Sequence, residues 1–285
     1  MKQIVVISGK GGTGKTVTTA SFASLSEKKV LCDCDVDAAD LYLLLHPDIK
    51  ETHKFIGGKS AIIDKELCTG CGECIKVCRF GAITPDFVVD PISCEGCTIC
   101  SYVCPVNAIS MEENECGEWF VSETKYGVMV YAKLGVAEEN SGKLVSVTRE
   151  AAKRIAEERK MDYVIIDGPP GIGCPVIAAI SGTDLAVIVT EPTLSGIHDL
   201  QRVNGVAKHF GIKVVCIINK YDINYENSGK IEQWCKKENI AVVGKIPFEK
   251  AVTEALVKGI PVVEYSENPA TEEIKKIWSR IEKII

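Results

Sequence analysis

The residues best suited to chemistry form a glycine-rich segment near the N-terminus. An apolar, β-branched run, Ile4 to Ile7, is followed by Gly9-Lys10-Gly11-Gly12-Thr13-Gly14-Lys15-Thr16. Glycines let the backbone turn its N–H groups toward phosphate oxygens, and the N-terminus of a following helix favours negative charge. We expect Lys15 to neutralise β- and γ-phosphates and Thr16 to bind Mg²⁺. The predicted phosphate-binding loop comprises Gly9, Lys10, Gly11, Gly12, Thr13, Gly14, Lys15, Thr16 and Val17.

A dinucleotide-binding loop is the alternative for this segment. Gly9-x-Gly11-x-x-Gly14 fits the dinucleotide fingerprint, and Asp33 or Asp35 follows about 20 residues later, where a ribose-binding carboxylate occurs. The Lys15-Thr16 pair favours a nucleoside triphosphate, because a loop that binds the pyrophosphate of a dinucleotide has no use for it. The segment therefore predicts a triphosphate site.

Carboxylates at the ends of two further strands support that site. Asp167 ends the apolar run from Tyr163 and is followed by Gly168-Pro169-Pro170-Gly171. We expect Asp167 to hold Mg²⁺ through water and Gly168 to approach the γ-phosphate as part of a switch loop. After a short strand at residues 30–32, Asp33 and Asp35 can position the Mg²⁺ sphere or the attacking water, although Asp33 can also serve only as a helix cap.

The fourteen cysteines of the chain are concentrated in an internal duplication. Two runs of the form C-x-x-C-x-x-C-x-x-x-C begin at Cys68 and Cys94, and both match the bacterial ferredoxin pattern, in which the fourth cysteine ligates the other cluster. The prediction is therefore two [4Fe–4S] clusters. Cluster 1 would be held by Cys68, Cys71, Cys74 and Cys104, and cluster 2 by Cys78, Cys94, Cys97 and Cys100.

Zinc is the competing metal for these cysteines. A zinc site needs four ligands in two pairs, which leaves the third and fourth cysteines of each run unexplained. Arg79 follows Cys78 where a proline is usual, which leaves the ligand set intact. We predict an inserted ferredoxin-like domain of the α+β class at residues 57–112. Residues 1–56 and 113–285 would form the nucleotide-binding domain.

The remaining sequence alternates strands and helices. Strands are predicted at 163–167, 185–190, 214–219 and 242–247, with helices at about 144–159, 196–209 and 271–285 and a polar loop at 138–143. This alternation indicates an α/β fold with a doubly wound, mostly parallel sheet. Asn219-Lys220-Tyr221-Asp222 is similar to the guanine-recognition motif of GTPases, so ATP and GTP both stay open at this point.

Composition restricts the function classes. The chain has 285 residues, 46% of them hydrophobic, and a formal charge of −6, which argues against a large nucleic-acid interface. It has no apolar run of about 18 residues and no signal peptide, so we expect a cytoplasmic protein. The amphipathic segment 271–285 can lie on an acidic membrane surface, but its glutamates favour packing on the sheet.

Lys10-Gly11-Gly12-Thr13-Gly14-Lys15-Thr16 resembles the deviant Walker A motif of MinD/ParA-type ATPases. The resemblance extends to the segments beginning at Asp33, Asp167, Glu191 and Gly244, and thus to nearly the whole chain outside the cysteine segment. The complete arrangement is similar to MinD-superfamily ATPases that carry an inserted ferredoxin domain.

The resemblance implies roles that spacing alone does not give. Lys10 would reach across a homodimer to the partner's nucleotide, Asp35 would orient the attacking water, and Asp167 would hold Mg²⁺ and begin a switch. Asn219 and Pro247 would belong to the nucleotide site, and ATP is favoured over GTP.

Three functions are compatible with these features. The first is an ATPase, slow and stimulated by a partner, that couples MgATP hydrolysis to electron transfer through the two clusters to a redox partner. The second is a carrier or assembly ATPase for iron–sulfur or other metallocofactors, which acts on a client protein. The third is a positioning ATPase with structural clusters, although membrane contact is not favoured.

Overall fold

The computed structural model describes residues 1–135 and 141–285; residues 138–140 of the predicted polar loop at 138–143 lie outside the described residues. The chain divides into two compact units. The first consists of Met1–Thr52, Trp119–Lys133 and Ser141–Ile285, and the second of His53–Glu118 with Leu134–Asn140. The second unit contains the predicted insertion, 57–112, and extends beyond it on both sides.

The described residues contain nine strands and eleven α-helices. The strands are β1 (Lys2–Ser8), β2 (Lys29–Asp33), β3 (Asp48–Ile63), β4 (Ile109–Thr124), β5 (Gly127–Leu134), β6 (Tyr163–Pro170), β7 (Leu185–Thr190), β8 (Lys213–Asn219) and β9 (Ala241–Ile246). The helices are α1 (Lys15–Leu25), α2 (Leu41–Leu45), α3 (Glu73–Val77), α4 (Ile99–Tyr102), α5 (Ser141–Glu158), α6 (Cys174–Ile180), α7 (Leu194–His209), α8 (Tyr225–Lys237), α9 (Lys250–Val257), α10 (Val262–Tyr265) and α11 (Pro269–Ile284).

The first unit is built on parallel strands in the order β5-β2-β6-β1-β7-β8-β9. Their β-branched runs are buried on both faces, as strands covered by helices on each side require. The register pairs Asp33 and Val6 with Asp167, and Asn219 with Ile246. The carboxyl ends of the strands therefore meet at one edge, which confirms the predicted α/β fold with a mostly parallel sheet.

The apolar face of α11 is part of the core. Ile274, Ile277, Trp278 and Ile281 are buried, and the Trp278 ring lies 5.1 Å from that of Phe22 in α1. Burial of this face agrees with the packing interpretation and leaves no apolar stripe for a membrane surface. Across residues 1–135 and 141–285, no helix is both long enough and apolar enough to cross a membrane.

The second unit has long strands and a small core. β3 and β4 are neighbouring strands, and Lys54 Nζ lies 2.7 Å from Glu115 Oε2 between them. Two short helices, α3 and α4, each carry a buried cysteine of the duplicated runs. The buried apolar cluster of this unit consists of Ala61, Ile63, Cys74, Ile83, Cys100 and Ile109.

Candidate functional site

The loop between β1 and α1 has the backbone conformation that phosphate binding needs. Gly12 and Gly14 have φ of 79° and 90°, in the left-handed region that glycine tolerates, and α1 begins at Lys15. Asn219 Nδ2 donates to the Thr13 carbonyl oxygen at 2.8 Å, and Ser8 Oγ donates to the Lys10 carbonyl oxygen at 2.8 Å. The loop is therefore held from both sides at the N-terminus of a helix, where anions are favoured.

Lys15 lies among carboxylates. Its Nζ is 3.2 Å from Asp35 Oδ2 and 3.5 Å from Asp167 Oδ1, and its side chain is only 7% exposed. Burial disfavours the charged ammonium, but three surrounding carboxylates outweigh that cost and raise the pKa of Lys15. These carboxylates belong to Asp167, Asp35 and Asp33. A protonated Lys15 is thus available to exchange its carboxylate partners for phosphate oxygens.

Asp167 lies within β6, three residues before that strand ends at Pro170, and it contacts Thr16, the other predicted Mg²⁺ residue. Its side chain is fully buried, and its Oδ2 accepts a hydrogen bond from Thr16 Oγ1 at 2.8 Å. Its Oδ1 accepts one from Thr19 Oγ1 at 2.8 Å. Thr19 is a site residue that the sequence interpretation missed, although its position four residues after Lys15 places both on one face of α1.

Asp33 and Asp35 have different positions. Asp33 is fully buried and accepts backbone N–H bonds from Asp35 at 3.0 Å and Leu41 at 3.2 Å, so its carboxylate shapes the loop after β2. Burial and the charge of Asp167 raise the pKa of Asp33 well above its ordinary value. Asp35 faces Lys15, and burial raises its pKa although Lys15 opposes the shift. Asp35 is therefore the better placed of the two to meet a ligand.

Lys10 is paired within its own chain. Its Nζ lies 3.7 Å from Glu191 Oε2 and 3.3 Å from Ser195 Oγ. The other Glu191 oxygen lies 2.6 Å from Lys220 Nζ. The loops after β1, β7 and β8 are thus joined by one half-buried carboxylate, that of Glu191, a connection the sequence did not reveal.

The remaining predicted nucleotide residues lie at the same edge. Gly168 is buried against β1, and a Cβ there would lie 2.5 Å from the Ile7 side chain and 3.1 Å from the Val6 carbonyl oxygen. Pro247 directly follows β9, which pairs with β8 so that Ile246 lies beside Asn219. The Asn219 amide donates to the phosphate loop, and its contact with a nucleotide stays a prediction.

The predicted cluster cysteines fall into two spatial groups. Burial, followed by the nearby thiols of Cys68 and Cys71, raises the pKa of Cys74. Burial and the thiols of Cys94 and Cys97 raise the pKa of Cys100 in the same way. Each group of three matches one predicted run.

A small cavity of about 20 Å³ lies in the second unit. Four cysteines line it together with apolar side chains such as Phe80 and Ile99. The cysteines are Cys78, Cys94, Cys97 and Cys100, the set predicted for cluster 2. Four cysteines in largely apolar surroundings have the chemistry that an iron–sulfur cluster needs, because thiolates are its usual ligands and exclusion of solvent tunes its potential.

The other set has a different signature. Cys104 Sγ accepts a hydrogen bond from the Ala108 backbone N–H at 3.2 Å, a contact of the kind that tunes cluster potentials. Within residues 1–135 and 141–285, no three His, Cys, Asp or Glu side chains are close enough to hold a single metal ion. Cluster binding stays a prediction.

The parallel sheet, the glycine-rich loop and Lys15 define a P-loop nucleotide-binding fold. The chain belongs to the CobQ/CobB/MinD/ParA nucleotide-binding domain family, whose model matches residues 4–262. An uncharacterized protein of Methanocaldococcus jannaschii is 33% identical over 99% of this chain and 97% of its own length.

One further relative and one solved structure are similar to most of the chain. An iron–sulfur cluster carrier protein of Pyrococcus horikoshii is 26% identical over 98% of this chain and 85% of its own length. The structure of the septum site-determining protein MinD of the same species, complexed with Mg-ADP, has a TM-score of 0.62 at 19% identity. The superposition covers 99% of this chain and 96% of that one, and it shows a shared fold.

Proposed function

We propose that this protein is a MgATP-dependent ATPase that carries or assembles iron–sulfur clusters for a client protein. The observation that supports this proposal most directly is the similarity to an iron–sulfur cluster carrier protein along 98% of the chain. The predicted electron relay has no comparable relative among the similarities described above. It is therefore the second candidate.

The first part of the proposal, nucleotide binding, follows from the contacts of Lys15. When MgATP enters, the ammonium of Lys15 moves from Asp35 and Asp167 to the β- and γ-phosphates. Thr16 and Asp167, which are hydrogen-bonded to each other in the ligand-free chain, would hold Mg²⁺, and the ion would supply positive charge beside the phosphates. Asp35, released from Lys15, is then available to orient the attacking water.

The second part of the proposal, dimer formation, concerns Lys10. We expect a homodimer in which Lys10 contacts the nucleotide of the partner subunit, as the family resemblance implies. In the single chain the same ammonium is paired with Glu191 and Ser195. Dimer formation therefore requires Lys10 to exchange these contacts for phosphate.

The third part of the proposal assigns two [4Fe–4S] clusters to the cysteines of the second unit. Cys78, Cys94, Cys97 and Cys100, which line one small cavity, would hold one cluster, and Cys68, Cys71, Cys74 and Cys104 the other. The clusters supply exchangeable iron–sulfur units or one-electron chemistry. The protein supplies thiolates, a mostly apolar surrounding and, for Cys104, the Ala108 N–H bond.

The test is cluster transfer. Protein reconstituted with ⁵⁷Fe is mixed anaerobically with an apo-ferredoxin as client, in MgATP, in MgADP or without nucleotide, and the iron in the re-isolated client is measured. We expect transfer that depends on MgATP and is lost in Lys15→Met, while Lys76→Met, an exposed lysine of the second unit, transfers normally. Retention of both clusters in every nucleotide state would contradict the carrier function.

Electron relay is favoured by one structural observation. All eight predicted ligands belong to one compact unit, and Cys74 and Cys100 are part of its core, as suits resident clusters. Retention of both clusters, together with cluster potentials that differ between MgADP and a non-hydrolysable MgATP analogue, would support the relay. Identical potentials in all nucleotide states would exclude coupling.

A further inference from the structure

One carboxylate, that of Glu191, is shared by two ammonium groups. Its Oε2 atom lies 3.7 Å from Lys10 Nζ, and its Oε1 atom lies 2.6 Å from Lys220 Nζ. The Glu191 side chain is only 14% exposed, so water compensates its charge poorly and the two lysines carry most of that task. The contact with Lys220 is short and the contact with Lys10 is long.

This difference in length decides which lysine can leave. Coulomb attraction weakens with distance, so Lys220 holds Glu191 more strongly than Lys10 does. The other polar contact of Lys10 is with a neutral group, Ser195 Oγ at 3.3 Å. When Lys10 leaves, Glu191 therefore keeps a hydrogen-bonded cation.

The position of Lys220 is fixed by its backbone. Lys220 directly follows β8 and has φ of 52°, in the left-handed region that a residue other than glycine adopts only where the surrounding structure imposes it. Its N–H donates to Asn219 Oδ1 at 3.0 Å, and the Asn219 amide donates to the Thr13 carbonyl oxygen. The Lys220 ammonium is thus held at a set place relative to the phosphate loop.

We propose that Lys220 is a positioning residue that keeps Glu191 neutralised and thereby allows Lys10 to leave for the nucleotide of the partner subunit. The proposal rests on the proposed homodimer and adds the residues that control its formation. Glu191 and Lys220 act in opposite directions, because Glu191 retains Lys10 and Lys220 favours its release. Within residues 1–135 and 141–285 these two lysines are the ion-pair partners of Glu191, so without Lys220 the departure of Lys10 strands a poorly solvated charge.

The test measures the dimer dissociation constant by sedimentation velocity. Full-length protein reconstituted with iron and sulfide is studied anaerobically in a non-hydrolysable MgATP analogue. Lys220→Met should raise the dissociation constant about tenfold or more, since each released Lys10 then leaves an uncompensated carboxylate. Lys220→Arg keeps a permanent cation and should stay within about threefold of the unmodified protein.

Replacing Glu191 gives the decisive comparison. Glu191→Gln releases Lys10 and should tighten the dimer about threefold or more. In the double variant with Lys220→Met, Glu191→Gln removes the charge that would be stranded and should restore the dissociation constant to within about threefold of the unmodified value. The matched control is Lys230→Met, which breaks an exposed ion pair with Glu226 on α8 and should leave the dimer unchanged.

Three results would overturn the proposal. They are an unchanged dissociation constant in Lys220→Met, a double variant as weak as Lys220→Met alone, and a weaker dimer in Glu191→Gln. Each of them, with a normal dimer of the unmodified protein, removes only the role given to Lys220. An unmodified protein that stays monomeric in the MgATP analogue removes the proposed homodimer itself.

Discussion

The two units differ in what fills their interiors. The first has an extended apolar core that includes Phe22, Ile165 and Trp278, with a buried group of charged side chains around Lys15 at one edge. The second has a much smaller buried apolar cluster, which includes two predicted cluster ligands, Cys74 and Cys100. Burial of apolar area stabilises the first unit whatever it binds, whereas the second depends on what its cysteines bind.

Iron removal tests this difference most strongly. Anaerobic chelation should unfold the second unit, because its apolar core is too small to replace the ligand bonds. Hydrogen exchange of amides in 53–118 should accelerate by about two orders of magnitude or more, while amides of β1 and β6 stay protected.

The internal control for this measurement is tryptophan fluorescence. All three tryptophans, Trp119, Trp234 and Trp278, belong to the first unit, so their denaturation midpoint should not move on iron loss. Unchanged protection of 53–118 in the iron-free protein would show that the second unit folds without clusters.

Replacing Lys15 tests the buried group of charged side chains in the first unit. In ligand-free protein, Lys15→Met leaves buried carboxylates without a cation and should lower the free energy of unfolding by about 3 kcal/mol. Lys10→Met is the matched control, because the Lys10 side chain is 35% exposed and should lose less than about 1 kcal/mol. Both are measured by urea denaturation with tryptophan fluorescence, and equal losses would contradict the burial argument.

A smaller effect separates neighbouring threonines of α1. Thr19→Val removes a hydrogen bond to the buried carboxylate of Asp167 and should cost about 2 kcal/mol. Thr18 donates only to the Gly14 carbonyl oxygen, so Thr18→Val should cost less than about 1 kcal/mol. The same denaturation experiment measures both, and a larger loss for Thr18→Val would disprove the role given to Thr19.

The smallest expected effect is a dependence of stability on pH. Burial raises the folded-state pKa of Asp35, so the contribution of this residue to the free energy of unfolding is complete below its unfolded-state pKa near 3.8. That contribution is lost as the pH rises through the folded-state pKa. Stability of the ligand-free protein should fall less between pH 4 and pH 7 in Asp35→Asn than in the unmodified protein. Saturating MgADP should reduce the difference, because Mg²⁺ favours ionised carboxylates, and parallel pH profiles in the absence of ligand would contradict the assignment.

The sequence predicts the buried strands well and the exposed ones poorly. β6, β7 and β8 each contain an uninterrupted apolar run, which is typical of a buried strand, and the predicted bounds of these strands and of β9 agree with the structure to within a few residues. β3 contains Lys50, Glu51, His53 and Lys54, and this polar composition conceals a strand. Its stability comes from pairing with β4, which no local pattern reveals.

The site divides in a similar way. Lys15, Thr16 and Asp167 are recognisable because short-range spacing fixes their positions relative to a strand end and a helix start. Other contacts join residues that are distant in sequence: Thr19 donates to Asp167, Glu191 pairs with Lys10, and Asp222 accepts the Phe248 N–H. Such contacts appear only once the strand order is known. The hydrogen bond from the Asn219 amide to the Thr13 carbonyl oxygen is of the same kind, and the place of Asn219 in the nucleotide site stays a prediction.

The pairing of β3 with β4 has a consequence for how such a chain arises. The strands that enter and leave the second unit are neighbours, with Lys54 and Glu115 in contact, so the segment between them begins and ends at nearly the same place. Joining the chain across this point needs only a short hairpin, whose closure entropy is small. A gene segment encoding the cysteine runs can thus be gained or lost in a single event, without altering the strand order of the nucleotide-binding sheet.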